Sequence, residues 1–179
     1  MAIDTDRSFK PINIALLTIS DTRTAANDTS GDILAERIQS ARHNLATRAI
    51  ERDDAAIIVS RFNSWIDDPN IDAVVSTGGT GLTGRDVTPE ALERILAQGD
   101  ARDIPGFGEL FRWISYNTIG TSTIQSRACA IVARGTYIFV LPGSNGAVKD
   151  GWDGILAEQL DSRNRPCNFV ELMPRLREK

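Results

Sequence analysis

Short apolar segments rich in β-branched residues alternate along this chain with amphipathic helical patterns. The clearest segments are 12–19, 71–76 and 137–141, and each runs directly into a polar or glycine-rich loop. Their length and continuous apolar character are typical of strands buried on both faces. Because parallel strands need a crossover helix between them, the alternation predicts an α/β domain. We expect a three-layer α/β/α sandwich around a mostly parallel central sheet.

Late in the chain two predicted strands follow one another without a helix between them. Segments 128–133 and 137–141 are joined by Arg134-Gly135-Thr136, which predicts a hairpin and therefore one antiparallel strand within the sheet. The length of 179 residues fits a single domain covering 1–179, with 1–11 and 162–179 as irregular tails.

Charge and composition exclude several classes of protein. The net charge is −4 and the pI is about 5.0, whereas a general nucleic-acid binder has a basic footprint. The polar N-terminus has no signal-peptide core, and no apolar run reaches the roughly 20 residues that a membrane span needs. We therefore expect a cytoplasmic protein without nucleic-acid or membrane partners.

The metal-ligating and nucleophilic residue types are scarce. Two cysteines, Cys129 and Cys167, form neither a metal set nor a disulfide framework, and Cys129 lies in an apolar run typical of a core residue. The only histidine, His43, follows a helical pattern among polar residues, and we expect it either to be solvated or to interact with the dipole at the helix C-terminus.

Two predicted strands end in glycine-rich loops, at 77–84 and at 142–146. Ligands of open α/β sheets bind beyond the carboxyl ends of the strands, and glycines let backbone N–H groups approach an anion closely. These loops predict a site for a phosphate-bearing ligand. Thr88-Pro89 after the first loop predicts a helix start, with Thr88 as N-cap.

The first loop also spells Gly79-x-Gly81-x-x-Gly84, the dinucleotide-binding pattern. Three features count against a dinucleotide site: the helix begins after the last glycine, the motif lies in mid-chain, and no predicted strand ends in an acidic residue about 20 positions on. Asp103 lies at that distance, but it precedes Ile104-Pro105. A Walker A loop is excluded, because no Gly-Lys-Ser/Thr follows a glycine loop.

Carboxylates near the phosphate loop are candidates for a cation site. Asp86 follows the glycine loop, where it either faces Mg²⁺ held by a phosphate or stabilises a turn. Asp53 and Asp54 begin a predicted helix and fit helix capping better. Ser20-Asp21 ends the first strand, where both residues either reach a ligand or form a turn.

The segment from the glycine loop into the next helix closely resembles the signature of the MoaB/MogA molybdopterin-binding family. Other matching segments lie at 105–109 and 141–144, and those that resemble the MoaB branch in particular are 119–128 and 165–169. The signature itself reads Thr77-Gly78-Gly79-Thr80-Gly81-Leu82-Thr83-Gly84-Arg85-Asp86-Val87-Thr88-Pro89-Glu90-Ala91.

The resemblance implies a reaction and a set of site residues. Active members adenylylate molybdopterin with Mg-ATP, release pyrophosphate and hand the product to a separate molybdenum insertase. Asp53 and Asp86 match the two functional aspartates of the family, with a role toward Mg²⁺ or in orienting the substrates. The residues implied in molybdopterin and phosphate binding are Thr77, Gly78, Gly79, Thr80, Gly81, Ser20, Asp21, Pro142, Gly143 and Ser144.

Three functions stay open at this point: an ATP-dependent adenylyltransferase acting on molybdopterin, a non-catalytic molybdopterin carrier of the same pathway, and a nucleotide-binding oxidoreductase. The resemblance also implies a homo-oligomer, either a trimer or a hexamer. Trp113 and Trp152 fall at helical positions typical of either the core or a subunit interface, and we consider both as candidates for that interface.

Overall fold

A computed structural model describes residues 3–178. Six strands form one sheet in the order β2-β1-β3-β6-β5-β4. The strands are β1 Asn13–Ile19, β2 Asn44–Glu51, β3 Ala73–Thr77, β4 Ala101–Asp103, β5 Cys129–Ala133 and β6 Thr136–Leu141.

The sheet is mostly parallel, as the sequence predicts. Strands β2, β1, β3 and β6 are parallel neighbours, and β5 runs opposite to both β6 and β4. The predicted hairpin and its antiparallel strand are therefore confirmed. Strand β4 was not predicted, because its three residues are mostly exposed and show no apolar run. It is an edge strand held by pairing with β5, and it ends at Asp103. The prediction that no strand ends in an acidic residue at that distance from the glycine pattern is therefore wrong.

Helices cover both faces of the sheet, which confirms the three-layer α/β/α architecture. Helices α1, α4 and α5 pack on one face, and α2 and α3 pack on the other. The helices are α1 Thr29–Ser40, α2 Ala55–Ile66, α3 Thr88–Leu96, α4 Pro105–Ile119, α5 Asn145–Gly151, α6 Ala157–Gln159 and α7 Phe169–Leu172. A π-helical turn at Trp152–Leu156 joins α5 to α6, and a 3-10 helix at Gly120–Gln125 follows α4.

Alternate residues of the central strands pack into different cores. Ile14 and Leu16 of β1 contact the face covered by α1, whereas Ala15 and Leu17 belong to the core under α2 and α3. All four side chains are fully buried. A strand that is apolar at every position is what burial on both faces requires, and this explains the continuous apolar runs of the sequence.

Three sequence predictions about single elements are wrong. The tail from 162 onward is not wholly irregular, because α7 forms and Phe169 packs against Tyr137 with ring centroids 4.8 Å apart. His43 is only 5% exposed, and its Nδ1 accepts a hydrogen bond from the Ile12 N–H at 3.3 Å. Trp152 is 2% exposed and belongs to the core, so it is not a surface for subunit contact.

No helix within residues 3–178 is both long enough and apolar enough to cross a bilayer.

Candidate functional site

A cavity of about 550 Å³ lies beyond the carboxyl ends of β1, β2, β3 and β6. These four strands are parallel neighbours, so the segments that follow them meet at one edge of the sheet. All the site residues predicted from the sequence line this cavity except Thr77 and Asp21. Those that line it are Ser20, Asp53, Gly78, Gly79, Thr80, Gly81, Asp86, Pro142, Gly143 and Ser144.

The glycine loop adopts a backbone that only glycine accommodates easily. Gly78 has a φ of 104° and Gly79 a φ of 64°, both in the left-handed region. A Cβ on Gly78 would lie 2.1 Å from the Ile19 carbonyl oxygen, and one on Gly79 would lie 2.3 Å from the Thr88 Oγ1. The chain thus turns tightly at the end of β3 and exposes its backbone to the cavity.

Thr88 fixes this turn from the start of α3. Its N–H donates to the Gly79 carbonyl at 3.0 Å, and its Oγ1 donates to the Gly78 carbonyl at 3.0 Å. The prediction that Thr88 is the N-cap is wrong: Val87 holds that position, and the Thr88 hydroxyl is fully buried against the loop. Thr88 stabilises the loop, because its N–H and its hydroxyl both donate to carbonyl groups of the loop.

Arg127, just before β5, holds the far side of the same loop. Its Nε donates to the Gly81 carbonyl at 2.9 Å, and its Nη2 donates to the Asp86 carbonyl at 2.7 Å. Its Nη1 pairs with Glu90 of α3. The carbonyl groups of Gly81 and Asp86 are therefore directed toward the guanidinium. The Arg127 side chain itself does not line the cavity.

The carboxylate of Asp86, just after the glycine loop, is bonded to the loop and also lines the cavity. Its Oδ2 accepts from the Thr83 Oγ1 at 2.6 Å and from the Thr83 N–H at 3.0 Å. These hydrogen bonds hold the pKa of Asp86 below its ordinary value, because they stabilise the charged form. The interpretation of Asp86 as a turn residue is therefore confirmed, and its carboxylate also lies in the cavity lining.

Asp53 follows β2 and lies against Gly79. Burial is the main cause that raises its pKa above the ordinary value, and the negative charges of Asp21 and Asp86 raise it further. Its neighbour Asp54 is the helix cap, accepting from the Ala56 N–H at 2.8 Å and the Ile57 N–H at 3.1 Å. The capping prediction is thus confirmed for Asp54 and wrong for Asp53.

The loop after β6 forms the opposite rim of the cavity. Thr77 is buried, and its Oγ1 donates to the Pro142 carbonyl at 3.0 Å, which ties the two glycine-rich loops together. Ser144 caps α5 by accepting from the Ala147 N–H at 3.2 Å. Thr77 therefore stabilises the two loops that line the cavity, although its own side chain does not line it.

Asp21 lies beside the cavity and not in its lining. Its carboxylate forms an ion pair with Arg85, a residue of the glycine-loop segment. The Arg85 side chain is 76% exposed, so solvent weakens this pair. The charge of Asp21 raises the pKa of Asp53, whereas a hydrogen bond from the Asp21 backbone N–H to the Asp53 carboxylate lowers it.

One wall of the cavity was not predicted from the sequence. It comes from α4, from the following 3-10 helix and from α5, and its residues are Phe111, Ser115, Thr118, Ile119, Gln125, Ser126, Ala147 and Asp150. Gly146 also lines the cavity, but it belongs to the predicted loop 142–146. On α4 the lining positions follow one another at helical spacing, so one face of the helix is turned to the cavity. The only advance signal was that Ile119, Gln125 and Ser126 belong to the family-like segment.

Comparison with known proteins bears on this cavity. Residues 15–162 match the family described as "Probable molybdopterin binding domain". Molybdenum cofactor biosynthesis protein B of Escherichia coli K12 is 45% identical over 161 residues, which cover 90% of this chain and 92% of that protein. The protein of the same name from Bacillus subtilis 168 is 37% identical over 150 residues, covering 83% of this chain and 86% of that protein.

Solved structures resemble the whole fold. A crystal structure of a molybdenum cofactor biosynthesis protein B aligns with a TM-score of 0.84 and 34% identity, covering 97% of this chain and 100% of that chain. The tungsten cofactor synthesizing protein MoaB from Pyrococcus furiosus aligns with a TM-score of 0.75 and 29% identity, covering 94% of this chain and 99% of that chain.

Proposed function

The chain belongs to the family of probable molybdopterin-binding domains, and from that membership and the chemistry of the cavity we propose that it adenylylates molybdopterin with Mg-ATP. An oxygen of the terminal phosphate of the pterin attacks the α-phosphorus of ATP and forms a new P–O bond. The α–β phosphoanhydride bond breaks, and pyrophosphate leaves with the bonding electrons. A phosphate monoester is already largely ionised near neutral pH, so the reaction needs no general base.

The glycine loop is our candidate for the phosphate cradle. Within residues 3–178, the backbone N–H groups of Gly79 and Thr80 donate to no other residue. Backbone N–H groups without partners in a concave loop favour an anion. This observation carries the proposal most directly, because Arg127 draws the neighbouring carbonyls away and leaves donors to meet the phosphate.

The carboxylates at the other side of the loop fit a magnesium ion. The charges of Asp21 and Asp86 raise the pKa of Asp53, and a cation beside these groups would relieve the repulsion. Within the described residues no three His, Cys, Asp or Glu side chains are arranged to hold a metal. Mg²⁺ is commonly bound by one or two carboxylates together with substrate phosphates.

We therefore assign Asp53 and Asp86 to the Mg²⁺ that accompanies ATP. The ion supplies neutralisation of the negative charge that two phosphate-bearing substrates bring into one cavity. Asp53 has the freer carboxylate for this role, because the Asp86 Oδ2 is already bonded to Thr83. Asp86 would hold the ion through its carboxylate while its bonds to Thr83 keep the loop in place.

The dinucleotide-binding alternative has little support in the loop. In that fingerprint the last glycine allows close packing between helix and strand. A Cβ added to Gly84 would meet nothing within 4 Å, and α3 begins only at Thr88. The sequence thus contains the Gly-x-Gly-x-x-Gly pattern, but its last glycine does not pack between a helix and a strand.

We further propose that the protein assembles into a homo-oligomer and passes its product to a separate protein. Apolar side chains of α4 and the 3-10 helix are exposed, with Trp113 at 70% and Ile124 at 83%. Exposed apolar side chains of this size are typical of protein contacts, and we place a trimer or hexamer interface here. We place the reaction in the cytoplasm, followed by transfer of the product to a molybdenum insertase.

The test is an anaerobic incubation of the purified protein with molybdopterin and Mg-ATP, following pyrophosphate and adenylylated pterin. We expect both products in equal amounts and over many turnovers. Binding of molybdopterin without pyrophosphate release would replace this proposal by the carrier alternative. Sedimentation of the same sample reports the oligomeric state.

A further inference from the structure

Asp150 of α5 places a carboxylate in the cavity wall at some distance from the glycine loop. It lies about 9 Å along the helix axis from the Ser144 cap, given the rise per residue of an α-helix. Its Oδ2 accepts a hydrogen bond from the Ser115 Oγ at 3.2 Å. Both residues line the cavity, and Ser115 is buried.

Asp150 has no cationic partner in the described part of the chain. Asp153, one turn further along, differs in this respect, because the Arg37 Nη2 lies 2.8 Å from its Oδ2. A half-buried carboxylate that lines a cavity without a counter-charge favours a ligand group with N–H donors. It equally disfavours a phosphate at that position, because like charges repel.

The two ends of the cavity therefore differ in the ligand groups that they accept. The glycine loop offers backbone donors to an anion, whereas the α4–α5 wall offers a carboxylate beside the apolar side chains of Phe111 and Ile119. A ring system with a donor edge suits the second end. A pterin presents its 2-amino group and N3–H side by side, so one carboxylate can accept both hydrogens. Adenine instead presents its amino group beside N1, a ring acceptor that a carboxylate repels.

We infer that Asp150 is a specificity-determining residue that accepts the 2-amino and N3 hydrogens of the pterin ring. This inference rests on the proposed function and deepens it, since it fixes the direction of the pterin: ring at the α4–α5 wall, phosphate at the glycine loop. Ser115 holds the carboxylate in position through its hydroxyl. The adenine of ATP is kept from this end of the cavity.

The test compares two fluorescent ligands, the monophosphate esters of 6-hydroxymethylpterin and 6-hydroxymethyllumazine, which differ in the group at the 2-position and in the hydrogen that lumazine carries on N1. Lumazine carries a carbonyl oxygen where pterin carries the amino group. We expect the unmodified protein to bind the pterin ester at least about tenfold more tightly, as a paired donor–acceptor contact discriminates. The readout is the ratio of the two dissociation constants, which a loss of overall stability does not change.

Asp150→Asn is the decisive variant, because its amide oxygen still accepts from Ser115 while its NH₂ group repels the pterin amino group and suits the lumazine carbonyl. We expect the preference to fall to unity or to reverse, whereas Asp153→Asn keeps the preference. An unchanged ratio in Asp150→Asn would overturn the role of Asp150 and leave the adenylylation proposal standing. Failure of the unmodified protein to bind either ester would overturn both.

Discussion

The Nη2 of Arg127 donates to the backbone carbonyl of Asp86 over 2.7 Å. This bond joins the start of β5 to the end of the glycine loop, and the Nε of the same guanidinium binds the Gly81 carbonyl. A single planar group thus fixes the loop at two points, which a lysine with its one compact charge does not reproduce.

Arg127→Lys should therefore weaken the phosphate cradle. We expect a rise in KM for molybdopterin of about tenfold, since each charge-assisted hydrogen bond contributes roughly 1.5–3 kcal/mol and part of each is retained by the ammonium. Steady-state kinetics of the adenylylation reaction measures this KM. Arg134→Lys is the matched control, because Arg134 has a comparable set of partners at the other end of β5. Equal effects of the two substitutions would argue against a loop-specific role.

The two glycines Gly79 and Gly84 should respond differently to alanine. Gly79 has a positive φ and a Cβ there meets Thr88, whereas a Cβ on Gly84 meets nothing within 4 Å. We expect Gly79→Ala to lower the free energy of unfolding by about 1–3 kcal/mol and to abolish phosphate binding. Gly84→Ala should stay within about 0.5 kcal/mol. Urea denaturation compares them, and a tolerated Gly79→Ala would contradict the observed loop backbone.

The sheet edge of the site could be predicted from the sequence, because each strand ends where its apolar run meets a polar or glycine-rich loop. Gly78 and Gly79 were predictable because a glycine-rich segment directly after a strand indicates a tight turn, and both residues do have a positive φ. Asp53 and Asp54 were harder to separate: both begin the helix, and only the backbone conformation decides that Asp54 caps it.

The α4–α5 wall could not be predicted, because it depends on how two helices are rotated on the sheet. Phe111, Ser115 and Asp150 reach the cavity through packing between distant segments, and no local pattern encodes that rotation. His43 was misplaced for a related reason. It lies among polar neighbours in sequence, but Phe9 from the N-terminal segment covers its ring, with centroids 5.2 Å apart.

His43 should titrate below the ordinary histidine range. Its pKa is lowered mainly by burial, against the opposing charge of Asp161. Because the folded pKa lies below the unfolded value of about 6.5, the unfolded chain binds the proton first as the pH falls. Stability should therefore decrease from about pH 7 toward the folded pKa. NMR of this single histidine measures the midpoint, and a midpoint above 6.5 would contradict its burial.

Only one of the two thiols should react in the native protein. Burial raises the pKa of the Cys129 thiol to about 12, whereas Cys167 is exposed. We expect a thiol reagent at pH 8 to modify Cys167 rapidly and Cys129 only after unfolding, because the thiolate is the reactive form. Mass spectrometry of the labelled peptides assigns the sites. Rapid native labelling of Cys129 would show that its surroundings are open to solvent.

Asp53 lines the cavity, where we propose that it serves adenylyl transfer, whereas its neighbour Asp54 caps α2. The most direct measurement is the turnover number for adenylylated pterin in Asp53→Asn and Asp54→Asn, with molybdopterin binding measured on the same samples. We expect Asp53→Asn to lose about a hundredfold or more in turnover with binding nearly unchanged. Asp54→Asn keeps a capping side chain, and we expect it to turn over at the unmodified rate. Full turnover in Asp53→Asn would contradict the role of Asp53 in adenylyl transfer.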